Sequence, residues 1–175
     1  MTSSVSLASP FHDPQARLFA DIKKYGKKLM TIYDGQIAVS ISEVTASRVV
    51  NALLLADMRI AIQRKSPGSH IGNNYRLAIK KSMEFNTHAI HMLDFDRALH
   101  WVKRFPKELA DVKRELAGSS GLVLYARTKR AFETHPNIQK LSENTVNAIA
   151  SEIAGRDVDI MSGSMGMDRE TAKLI

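Results

Sequence analysis

The sequence predicts an all-α fold: a single compact multi-helix domain of about seven helices, with room for one or two short strands. Three observations predict it. Glycine (9) and proline (5) are scarce among 175 residues, which argues against a loop-rich or all-β design. Apolar residues recur at helical spacing in several segments. Short polar breaks separate those segments, as in bundle-like domains. Hydrophobic residues at 44% and charged residues at 25% match an ordinary globular chain long enough for one core.

Residues 1–12 are Ser-rich and lack periodicity, so they are expected to form a flexible N-terminal arm. The helical domain is placed at 13–155. Asp13–Pro14 opens its first helix, with Leu18, Ile22, Leu29 and Ile32 at helical spacing. Residues 36–41 (QIAVSI) fit either a short strand or the end of a helical turn. Ser40 and Glu43 have capping-box spacing ahead of a long helix from about Glu43 to Lys65. Its apolar residues cover much of the circumference, as in a buried central helix. Ser66–Pro67–Gly68–Ser69 ends it, and Asn73 to about Phe85 forms the next. After a short segment at 88–93, Asp94 or Asp96 caps a helix through Val102. Pro106 starts another, with Leu109, Val112 and Leu116 on one stripe and Gly118 after it. Residues 121–132 read as helix, although the run LVLY also suits a strand. A last clear helix spans Leu141–Ile153, with Val146, Ile149 and Ile153 on one face. The Met-containing tail, 156–175, is expected to be loosely ordered with a short helical end.

The absence of cysteine excludes disulfides, thiolate metal sites and a cysteine nucleophile, and fits a reducing, cytoplasmic setting. The first residues lack a basic start and a long apolar run, so no secretory signal is read there. The most apolar stretch, Val44 to Ile62, is too polar to span a membrane.

Net charge is +7, unevenly spread: residues 1–130 hold 21 Lys/Arg against 11 Asp/Glu, and residues 131–175 hold 4 against 7. A basic body suggests a polyanionic partner, DNA or RNA. Four basic clusters carry the expectation: Lys23, Lys24, Lys27 and Lys28; Arg64, Lys65, Arg76, Lys80 and Lys81; Lys103, Arg104 and Lys107; and Arg127, Lys129 and Arg130. Clustered cations gain affinity for nucleic acid by displacing condensed counterions.

Residues 31–51 (TIYDGQIAVSISEVTASRVVN) add a local motif. With Thr31, Tyr33, Asp34, Ser42, Thr45, Ser47, Arg48, Val49, Val50 and Asn51, the segment resembles the helix-turn-helix of LacI-type repressors. That resemblance implies that Ser42–Asn51 enters a major groove, with Arg48 or Ser47 on DNA. The chain departs from the family pattern at Gln36, Ser40 and Ala46.

His88 and His91 stand one helical turn apart, near Asp94, Asp96 and His100, a loose candidate for nitrogen and oxygen metal ligation. The spacing matches no specific metal motif, so no metal or cofactor is assigned. P-loop, GxSxG and GxGxxG patterns are absent, and no catalytic residue is assigned. The expected function is therefore non-catalytic nucleic-acid binding by a DNA-binding regulator or accessory factor. The alternative is a helical assembly or adaptor protein, acting as a homo-oligomer or on a protein partner, with no membrane role.

Overall fold

The computed structural model describes residues 4–64 and 71–175. It corrects the all-α expectation: the fold is α/β. Six strands form one sheet: β1 (Val5–Phe11), β2 (Ile37–Ser42), β3 (Arg59–Gln63), β4 (Ala89–Leu93), β5 (Leu122–Leu124) and β6 (Ser164–Asp168). The helices are α1 (Phe19–Ile32), α2 (Ser47–Leu55), α3 (Ile71–Ser82), α4 (Phe95–Arg104), α5 (Pro106–Leu116), α6 (Lys129–Phe132), α7 (Asn137–Ala154) and α8 (Arg169–Ala172).

The strand order is β3-β2-β1-β4-β6-β5. The first four strands are mutually parallel, and β6 runs antiparallel to both β4 and β5. The chain first winds β1-α1-β2-α2-β3 in one direction, then crosses back through α3 to place β4 on the other side of β1. Residues of α1, α2, α4 and α5 pack with Val5, Leu7 and Phe11 in one core, and Ala78 and Ile79 of α3 pack with Ala8, Ile90 and Met92 in another. Helices thus cover both faces, and the winding reverses between β1 and β4.

The expected N-terminal arm contains the central strand of this sheet. Its small polar residues hid the pattern, because both faces are covered and the strand shows no polar-outward alternation. Ser6 is satisfied by the hydroxyls of Ser82 at 2.7 Å and Thr87 at 3.0 Å, and Ser9 donates to the Leu93 carbonyl at 2.6 Å. Pro10 is tolerated because its missing N–H faces the β4 side, where the ladder has already ended at Ala8 opposite Met92.

The expected long helix over 43–65 is two elements. Helix α2 stops at Leu55, Asp57 turns the chain with φ of 64°, and β3 follows. The Ser40–Glu43 box is also overturned, since Ser40 lies within β2 and bonds to Asn74 of α3. So is the helix-turn-helix reading: residues 37–42 are a strand held between β1 and β3. The tail supplies β6, which pairs along the whole of β4. Among the described residues, no helix is long and apolar enough to cross a membrane.

Helix α7 forms where expected but faces the other way. Its inward side is polar, with Glu143 buried, while Val146, Ile149 and Ile153 are exposed.

Candidate functional site

The reversal between β1 and β4 leaves a crevice at the carboxyl edge of the sheet, the usual place for a ligand in an open α/β fold. Because β6 is antiparallel, its start at Ser164 lies opposite Leu93 at the end of β4, and the end of β5 reaches the same edge. A cleft of about 570 Å³ opens there and runs over α4 and α5. Asp94, Asp96, Arg97, His100, Trp101, Tyr125, Arg127, His135 and Ser162 help to line it.

Asp94 and Asp96 sit at the β4–α4 corner. The Tyr75 hydroxyl donates to Asp94 Oδ1 at 2.6 Å, and Arg97 Nε lies 3.4 Å from Oδ2. Burial pushes the Asp94 carboxyl up, and the nearby Asp96 charge adds to this; the Tyr75 hydrogen bond and Arg97 oppose it. Gly163, with φ of 64°, lets the 160–164 segment close on this corner. A Cβ there would stand 3.0 Å from Asp94 Oδ2 and 3.3 Å from Arg97 Nε. Neither the corner nor Gly163 carries a signal in the sequence beyond an Asp-x-Asp after an apolar run.

A buried ionic cluster forms the next wall. Arg127 pairs with Asp159 at 2.7 Å and Glu143 at 2.5 Å, and Arg97 also reaches Glu143 at 3.0 Å. Arg97 Nη1 donates to the carbonyls of Met161 and Ser162, and Asn147 Nδ2 donates to Asp159. Burial raises the Glu143 carboxyl, but bonds from Gln139 and Arg127 and the arginine charges outweigh it and hold it below the ordinary range. Beside this cluster, His100 Nε2 is 2.8 Å from Thr134 Oγ1, with the His135 ring next to it. Burial lowers both imidazoles, helped by His135 for the first and by Arg127 for the second. Both are therefore neutral at pH 7 and able to accept a proton. Among the described residues, the buried indole Nε1 of Trp101 has no hydrogen-bond partner.

The β1–α1 turn differs from a phosphate-binding loop. Asp13, 5% exposed, accepts from the backbone N–H of Arg17 at 2.8 Å and of Leu18 at 2.9 Å. These bonds place an acidic side chain just ahead of α1, where a phosphate would otherwise approach.

The structure separates the residues expected to bind metal. His91 is fully buried in the core, between the Tyr33 hydroxyl at 2.6 Å and Ser164 Oγ at 2.8 Å, and burial lowers it to about 3. His88 precedes the opposite end of β4 from Asp94. Among the described residues, no group of three or more His, Asp or Glu is placed to hold a metal by itself.

The basic residues are not gathered on one face. Lys23, Lys24, Lys27 and Lys28 are exposed on α1 and Arg48 on α2, whereas Arg76, Lys80 and Lys81 lie on α3, across the sheet. Lys81 pairs with Glu84 at 2.8 Å. Arg64 is exposed after β3, and Lys65 falls outside the described residues. Lys103 pairs with Asp21, Lys107 with Asp111 and Arg130 with Glu108, while Lys129 is exposed at the start of α6. Arg127, expected on a nucleic-acid surface, has its side chain committed to the internal cluster.

Compared with known protein families, curated proteins and solved structures, the chain matches none.

Proposed function

We propose that this protein is a divalent-cation-dependent transferase acting on a nucleoside-diphosphate-linked donor of the nucleotide-sugar class. One observation carries the reading: an Asp-x-Asp pair, Asp94 and Asp96, sits at the carboxyl end of β4, where the sheet's winding reverses, on the rim of a cleft. Ligands of open α/β sheets bind at that position.

The class of ligand follows from how the site can handle charge. The sequence has no P-loop or GxGxxG pattern, and the Asp13 side chain sits just ahead of α1. The arginines of the cleft are neutralised by Glu143, Asp159 and Asp94. A diphosphate would thus need a cation to enter beside two carboxylates. Magnesium-type ions bind in this way, through one or two carboxylates plus substrate phosphates. Asp94 and Asp96 would hold such an ion, which would neutralise the diphosphate as it leaves.

The remaining surface suits a sugar and its acceptor. His12, just after β1, and Ser42, the last residue of β2, are hydrogen-bonded at 2.8 Å and offer polar edges for the nucleoside. The cleft presents the indole of Trp101, the Tyr125 ring, the Thr134 hydroxyl and two neutral imidazoles to a polyhydroxylated group. In the transfer, an acceptor hydroxyl oxygen bonds to the anomeric carbon. The bond from that carbon to the diphosphate oxygen breaks, and its electron pair leaves with the diphosphate. The hydroxyl proton passes to His100 or His135.

The division of the basic residues between the two faces of the sheet favours this reading over a single surface that uses all of them, since phosphate contacts to one duplex need a shared face. The test is release of nucleoside diphosphate from a panel of nucleotide sugars with magnesium or manganese present. Asp94→Asn and Asp96→Asn are each expected to lower kcat/KM by about 10²–10³-fold, the usual cost of losing one group that stabilises developing charge. Turnover indifferent to chelator and to both substitutions would overturn the proposal. So would an inactive protein that binds duplex DNA with a steep salt dependence.

A further inference from the structure

The geometry points to α7 as a self-association surface, paired antiparallel with α7 of a second copy of this chain. The helix is amphipathic in the inverted sense. Gln139, Glu143, Asn147 and Ser151 turn inward and are held by hydrogen bonds, with Glu143 only 3% exposed. Ile138 and Ile153 are each 83% exposed, Leu141 73% and Ile149 59%. With Thr145, these four lie within about 120° of arc on the outer side. An apolar stripe of that length on a folded domain marks an interface.

Three features select a second copy as the occupant. The stripe reads nearly the same in both directions: Leu141 and Ile149 stand four residues either side of Thr145, and Ile138 and Ile153 stand seven before and eight after it. A two-fold interface requires such self-complementarity, because each residue must meet the partner's counterpart. An antiparallel pair centred on Thr145 puts Leu141 against the partner's Ile149 and Ile138 near the partner's Ile153. Charge agrees with that register. The start of α7 follows Pro136 with no side-chain cap and no acidic residue in its first turn. Glu152, an exposed carboxylate inside that arc beside Ile153, would stand next to that positive helix end in the other copy. A lipid surface fits less well: interfacial helices flank their apolar face with Lys and Arg, whereas the single lysine of α7, Lys140, is paired with Glu133 at 2.9 Å.

The inference is independent of the proposed activity. Sedimentation velocity across a dilution series should show a monomer–dimer equilibrium that the double variant Leu141→Glu/Ile149→Glu abolishes. The variant's circular dichroism should be unchanged, since neither side chain is buried. The chain has no cysteine, so cross-linking reads the register without background. Thr145→Cys at the two-fold axis should oxidise to a covalent dimer, as facing positions of a close helix pair fall within disulfide reach. Ile138→Cys alone should not, while a mixture of Ile138→Cys and Ile153→Cys should. A monomer at every concentration would overturn the inference. Equal cross-linking of all three cysteines would do the same, as would a monomer whose α7 binds phosphatidylcholine vesicles.

Discussion

Glu143 is the residue on which the cleft's outer wall depends. It faces two guanidinium groups, Arg97 and Arg127, and is nearly removed from water. Breaking a buried ion pair by removing one partner leaves a charge without compensation and typically costs about 3–5 kcal/mol. Glu143→Gln keeps the shape and removes the charge, so a loss toward the lower end, about 3 kcal/mol, is expected in urea unfolding. The pH dependence has a definite sign. The Glu143 and Asp159 carboxyls are held below their ordinary range by the arginines and hydrogen bonds, against the opposing effect of burial. Their contribution is complete above the ordinary carboxylate pKa of about 4 and is lost as pH falls through the folded values. The wild-type melting temperature should therefore fall more steeply below about pH 4 than that of Glu143→Gln. Parallel acid profiles for the two proteins would show that the cluster does not couple to folding.

At the scale of elements, β6 is fixed by the one residue that lets α5 approach it. A Cβ on Gly166 would run into the Leu116 side chain, with Leu116 Cγ at 3.0 Å and Leu116 fully buried. Overpacking a core position typically costs about 1–3 kcal/mol. Gly166→Ala should lose that much stability, and adding Leu116→Ala should recover part of it although Leu116→Ala alone is destabilising. Additive losses in the double variant would contradict this packing. These contacts also explain which elements were legible. Helix α5 was, because Pro106 starts it and Leu109, Val112 and Leu116 form one stripe. Strand β6 was not, since SMGMD carries two methionines around a glycine whose role is close approach rather than a turn. Strand β1 was hidden by Ser6, Ser9 and Pro10, whose polar groups are satisfied inside the sheet. Strand β3 merged with α2 because the turn between them uses Asp57 rather than glycine or proline. The cleft was legible only as a loose group of His and Asp after 88. Its grouping into a corner carboxylate pair and a core histidine depends on which way each strand residue points.

For the whole molecule, the reversal of winding between β1 and β4 determines where the cleft opens. It opens the carboxyl edge next to Asp94 and Asp96, while the helices on both faces keep Lys27 and Lys80 apart. On the proposed function, this edge binds a nucleoside diphosphate with a divalent cation. Trp101, the single tryptophan of the chain, lines the cleft with an unpartnered indole N–H and serves as the built-in reporter. The most direct measurement is a titration of the protein with nucleoside diphosphates, followed by Trp101 fluorescence and checked by calorimetry, with magnesium and then with chelator. A saturable change is expected with magnesium, lost on chelation and in Asp96→Asn. Absence of binding to every nucleoside diphosphate, or binding unaffected by the metal and by Asp96→Asn, would contradict it.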